Sequence, residues 1–150
     1  MKLARKHRLP KRIDDFILEH HGTMITRYQY SQAIKDAGGD ESKVDLSKFR
    51  YPGPRPRSRE TALLMLADGS EARARAERPQ DEDEIRKMVL STIESAQKQG
   101  QLDNTQLTLR DLGIITDAFV TILKGTHHPR ITYPKEGSAV ENVSTAPNKR

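Results

Sequence analysis

The 150-residue chain contains no cysteine, which excludes disulfides and thiolate zinc sites and fits a reducing cytoplasm. It contains no apolar run near the roughly 20 residues needed to span a bilayer, and no signal-peptide core follows Met1. As written, it reads as a soluble chain. Aromatic residues are only 5% of the total, too few to interleave with cations as nucleic-acid-binding faces usually do. Hydrophobic residues make up 34%, so one domain with an economical core is expected, and part of the chain should stay unpacked.

Charge is plentiful but unevenly placed. Lys2, Arg5, Lys6, Arg8, Lys11 and Arg12 supply six cations with no acid among them. Without these six, the 26 basic residues fall to 20, against 21 acidic ones. The net charge of +5 is therefore an N-terminal feature, not a basic face, and no nucleic acid is expected as partner.

The periodicity is helical throughout. Residues 1–7 read as a first helix, and Pro10 starts a second whose stripe is Ile13, Phe16, Ile17 and His20. Residues 24–37 read as a third helix with Ile25, Tyr28 and Ala33 inward, ended by Gly38 and Gly39. Residues 40–57 are irregular, and the prolines at 52, 54 and 56 impose extended backbone. Ser58 is placed to cap a helix running towards Ala76, which Pro79 stops. Residues 81–99 are the most regular segment, with Ile85, Met88, Val89, Thr92, Ile93 and Ala96 on one face. Thr108 and Asp111 resemble a capping box. The last helix carries Leu112, Ile115, Phe119, Ile122 and Leu123 and is expected to end at Gly125. Residues 135–150 offer little to bury and read as a disordered tail.

The unusual chemistry lies in Glu19-His20-His21-Gly22-Thr23. Neutral imidazole is the commonest metal ligand, and a helix end against a glycine can present both rings to one point. The alternative is a solvated helix terminus where the dipole favours a cationic ring. Downstream, Asp68 shares a helical face with Leu64, Met65 and Ala72. A carboxylate there needs a partner, either a metal or a cation such as Arg59 or Arg73. Arg50, Arg55, Arg57 and Arg59 flank the proline connector, where they meet phosphate or simply decorate a solvated segment.

Four motifs occur in order: His20-His21-Gly22-Thr23; Tyr51-Pro52-Gly53-Pro54 with Pro56 and Ser58-Arg59-Glu60-Thr61; Leu66-Ala67-Asp68 with Glu71-Ala72; and His128-Pro129-Arg130-Ile131 with Tyr133-Pro134. Together they resemble the C-terminal part of the HD domain in the seven-transmembrane HD family, bacterial phosphodiesterases acting on cyclic di-AMP. The resemblance covers nearly all of residues 1–134. It implies an all-α fold and a site holding two divalent metal ions, usually iron or manganese. It also implies a cytoplasmic HD domain on an inner-membrane protein. Carried over residue by residue, it implies His20, His21 and Asp68 as metal ligands. It places Thr23, Arg55, Arg57 and Arg59 in stretches near the dinucleotide.

The family's ligand set also includes an earlier histidine, the His-Asp dyad and a further histidine ahead of the position of Lys2. No residue of this sequence matches them. The resemblance therefore implies an N-terminally truncated HD domain at residues 1–134. Such a portion holds at most one metal ion, is inactive alone and requires the upstream HD segment. The competing expectation is a metal-free helical interaction module or pseudoenzyme that binds an anionic ligand or partner protein through Arg55, Arg57 and Arg59.

Overall fold

The structure is a computed structural model and describes residues 2–126. The expected tail at 135–150, the end of the 1–134 domain and the motif from His128 to Pro134 lie outside the described residues. Among the described residues six α-helices follow one another: α1 (Lys2–Lys6), α2 (Lys11–Glu19), α3 (Arg27–Asp36), α4 (Arg59–Glu77), α5 (Glu82–Lys98) and α6 (Leu109–Thr126). Two single 3-10 turns, Glu41–Lys43 and Leu46–Phe49, interrupt the loop between α3 and α4. The fold is all-α, and no strand beyond an isolated bridge occurs among the described residues.

The long helices begin where their caps dictate. The Ser58 side chain accepts the Thr61 N–H and starts α4, and the Asp81 carboxylate accepts the Glu84 N–H and starts α5. Glu82, Asp83 and Glu84 fill the first turn of α5, where the helix dipole favours anions. Thr108 and Asp111 exchange reciprocal bonds at the start of α6, so the capping box forms with Asp in place of Glu.

Helices α4, α5 and α6 pack on one another, and α2 lies against α4. Their core joins Met65, Leu66 and Ala74 of α4 to Ile85, Val89 and Ile93 of α5 and to Val120 of α6. Burying a side chain the size of Leu66 or Val89 contributes about 2 kcal/mol each. All six residues of the expected α5 stripe are buried.

Elsewhere the periodic stripes and the buried faces differ. In α2, Ile17 is 39% exposed, Ile13, Phe16 and His20 are half-buried, and the buried residue is Glu19. In α4, Met65 and Leu66 are buried, whereas Leu63 and Leu64 face outward. In α6 the buried line is Leu112, Thr116, Val120 and Leu123, leaving Ile115 and Phe119 at its edge and Ile122 62% exposed. That helix continues through Gly125 to Thr126.

Residues 24–26 do not extend α3. Ile25 forms an antiparallel bridge with Arg50, the Thr26 N–H donates to the Phe49 carbonyl at 2.7 Å, and the Tyr51 N–H donates to the Met24 carbonyl at 3.0 Å. These bonds take backbone groups that a helix would need, so α3 begins only at Arg27. Tyr28 is then 80% exposed, and Tyr30 lies against Phe49 instead. The pairing carries the proline connector back beside the end of α2. It thereby sets Tyr51 next to the histidines.

Candidate metal centre

Helix α2 ends at Glu19, and the chain turns sharply through residues 20–23. The Gly22 N–H donates to the Glu19 carbonyl, and Gly22 adopts φ +52, the left-handed region that favours glycine. His20 Nδ1 lies 2.9 Å from the Phe16 carbonyl and 3.1 Å from that of Ile17. Carbonyls only accept, so Nδ1 donates to them, and Nε2 is the ring nitrogen left to face a metal.

The His21 ring is held on both sides. It stacks on Tyr51, with centroids 4.2 Å apart and planes 22° apart, and it lies 3.9 Å from the His20 ring. Its Nδ1 faces Asp68 Oδ2 at 3.5 Å. Burial and, next, the neighbouring His20 push its pKa below the usual imidazole value, while Asp68 pulls weakly the other way. The shift favours the neutral ring, the form that binds metal. Asp68, in mid-α4, is about half exposed, with 49% of its side chain open. Of the partners open to it, His21 is the one it faces. Arg59 pairs with Asp111, and Arg73 pairs with Glu77 and donates to Thr92.

Two polar side chains whose partners no sequence pattern predicts pin this corner. Glu19 is 2% exposed and accepts from the Arg57 N–H (2.9 Å), Arg57 Nε (2.8 Å) and the Thr61 hydroxyl (2.7 Å). Burial alone would raise its pKa, but these bonds together hold it below the usual carboxylate range. Glu19 so ties the end of α2 to the start of α4. Gln101, 1% exposed, follows α5 and bonds to Thr23 through both ends of its carboxamide.

No protein-family model matches the chain. Over 143 residues it is 38% identical to an uncharacterized protein of Synechocystis, covering 95% of this chain and 18% of that one. It is 33% identical over 139 residues to the cyclic-di-AMP phosphodiesterase PgpH of Bacillus subtilis, covering 93% and 19%. The PgpH HD domain of Listeria monocytogenes, solved in complex with cyclic-di-AMP, superposes with a TM-score of 0.75 at 28% identity. That match covers 88% of this chain and 60% of the solved one. The chain is similar, over most of its length, to part of the PgpH HD domain. It spans about a fifth of the length of the curated relatives it matches.

An HD domain implies divalent metal, and the donors present here can be tested against that. Two imidazoles and a carboxylate suit a first-row divalent ion. His20, His21 and Asp68 are neighbours, yet no group of three His, Asp or Glu among the described residues closes into a ready ligand shell. By donor type, though not by its arrangement here, the set suits such an ion. The connector arginines of this HD segment are each engaged: Arg57 with Glu19, Arg59 with Asp111, and Arg55 with the Gly100 carbonyl at 3.2 Å. Thr23 is engaged as well, both its N–H and its hydroxyl meeting Gln101. None of the described helices is long and apolar enough to cross a membrane.

Proposed function

We propose that this chain supplies His20, His21 and Asp68 to the metal centre of an HD phosphohydrolase domain acting on a cyclic dinucleotide, cyclic di-AMP first among candidates. The observation that carries this reading is the approach of Asp68 Oδ2 to within 3.5 Å of the His21 ring, across 47 residues of sequence, beside a His20 with Nε2 free. When bound, iron or manganese supplies an activated water and a positive centre for the phosphoryl oxygen. Within the chain, burial biases the His21 ring towards its neutral form, and the Phe16 carbonyl fixes the tautomer of His20.

Three donors hold one ion at most, and the reaction needs a second positive centre for the developing charge. No residue of this sequence matches the remaining donors of the HD set, so on this reading the chain alone does not turn over substrate. Thr23, Arg55, Arg57 and Arg59 take the phosphate-contacting role. The arginines keep roughly half of each side chain exposed while Gly100, Glu19 and Asp111 orient them.

The test is calorimetry with Mn2+ together with an assay on cyclic di-AMP. The 150-residue chain should bind one Mn2+ without turnover, and a version extended by a His-Asp-bearing HD segment should hydrolyse the substrate. His21→Ala should abolish both, beyond the about tenfold to hundredfold loss typical of an outer-shell change. Turnover by the 150-residue chain would overturn the one-ion assignment, and absence of Mn2+ binding would overturn the metal role.

A further inference from the structure

The residue that ties the histidine corner to the core lies neither in α2 nor in α4. Gln101 directly follows Gly100, and its own N–H donates to the Ala96 carbonyl in the last turn of α5 at 2.9 Å. Its backbone is thus anchored to the best-packed helix of the fold. Its side chain turns inward and is 1% exposed. There Oε1 accepts the Thr23 N–H at 2.9 Å, while Nε2 donates to Thr23 Oγ1 at 2.8 Å and to the Gln99 carbonyl at 3.1 Å. The Thr23 amide can only donate, so the carboxamide has one possible orientation, with both of its N–H groups used.

The fit around Gly22 is equally tight. A Cβ there would run into Gln101 Oε1 on one side and come within 3.3 Å of Pro56 Cδ on the other. The carboxamide therefore occupies space that only glycine leaves open. A buried glutamine bridging two loops is most often structural. Here, however, both ends of its amide grip the residue two positions after His21, and the ring stack and the Asp68 approach arise from that same turn.

We propose that Gln101 is a positioning residue for the metal centre: by gripping Thr23 it sets the turn from which His21 meets Tyr51 and Asp68. This rests on the reading of His20, His21 and Asp68 as metal donors. Glu19 docks α2 onto α4 through separate bonds, so loss of Gln101 loosens the corner and leaves the helices packed.

The experiment uses the 150-residue chain with Gln101→Ala, and with Leu123→Ala as a core variant destabilised far from the corner. Two quantities are read at a temperature where circular dichroism shows each protein folded. One is Mn2+ affinity. The other, in metal-free protein, is the ring-current shift that Tyr51 imposes on the His21 imidazole, with Tyr51→Leu as the reference for its absence. Gln101→Ala should weaken Mn2+ binding about tenfold to a hundredfold and move the His21 signal towards the Tyr51→Leu position. Leu123→Ala should change neither.

Unchanged affinity and an unmoved His21 signal in Gln101→Ala would overturn the proposal. So would a loss of affinity that Leu123→Ala reproduces. If the parent chain binds no Mn2+, the metal reading fails, and the His21 signal alone decides the positioning role. Should Gln101→Ala not fold, Thr23→Val cuts the Nε2 bond from the other side and is read in the same two ways.

Discussion

Glu19 shows what a single buried charge can do. It is 2% exposed, and three donors from Arg57 and Thr61 satisfy its two oxygens. Replacing it by Ala leaves the Thr61 hydroxyl and the Arg57 N–H without a partner and should cost about 3 kcal/mol in denaturant unfolding. The estimate stays low because the Arg57 side chain is 60% exposed and water screens its charge. Its depressed pKa has a further consequence. A carboxyl whose folded pKa lies below its ordinary value of 4.5 contributes stability in full above that value. That contribution is lost as pH falls through the folded pKa. Melting of the parent chain should therefore drop between pH 4.5 and its acid transition, and Glu19→Gln should flatten the drop. The sequence carries no sign of these bonds, because Arg57 and Thr61 lie about 40 residues from Glu19.

At the scale of elements, short sequence patterns mark where the long helices start. Ser58 caps α4 as its place before the helix implied, and it also accepts a bond from Arg12 at 2.8 Å. Ser58→Ala should cost about 1 kcal/mol in chemical denaturation, with the fold kept by circular dichroism. The capping box at Thr108 and the six-residue stripe of α5 were equally legible, because each involves groups within one or two helical turns. The start of α3 was not. Met24 and Thr26 surrender backbone groups to Tyr51 and Phe49, more than twenty residues away, and local pattern carries no sign of that pairing.

Across the whole molecule, packing decides which of several apolar residues is buried. Leu123 is 8% exposed and belongs to the core of α4, α5 and α6, whereas its neighbour Ile122 is 62% exposed. Leu123→Ala should therefore cost about 2–4 kcal/mol. Ile122→Ala should stay within about 0.5 kcal/mol. Thermal unfolding of the two variants side by side checks the contrast. The sequence pattern had placed both on one inward stripe.

The sequence alone determined that the chain is helical, where most of its helices begin, and that two histidines and a distant aspartate are its metal-binding candidates. The first two follow from periodicity and caps, which act over a few residues; the third rests on residue chemistry together with the family resemblance. Only the tertiary structure decided that Asp68 faces His21 and not an arginine. It also decided that Arg55, Arg57 and Arg59 are oriented by internal partners, and that Glu19 and Gln101 hold the corner. Each of these pairs residues about 40 or more positions apart. Their meeting depends on how α2, the connector and α5 approach α4, which no local pattern specifies.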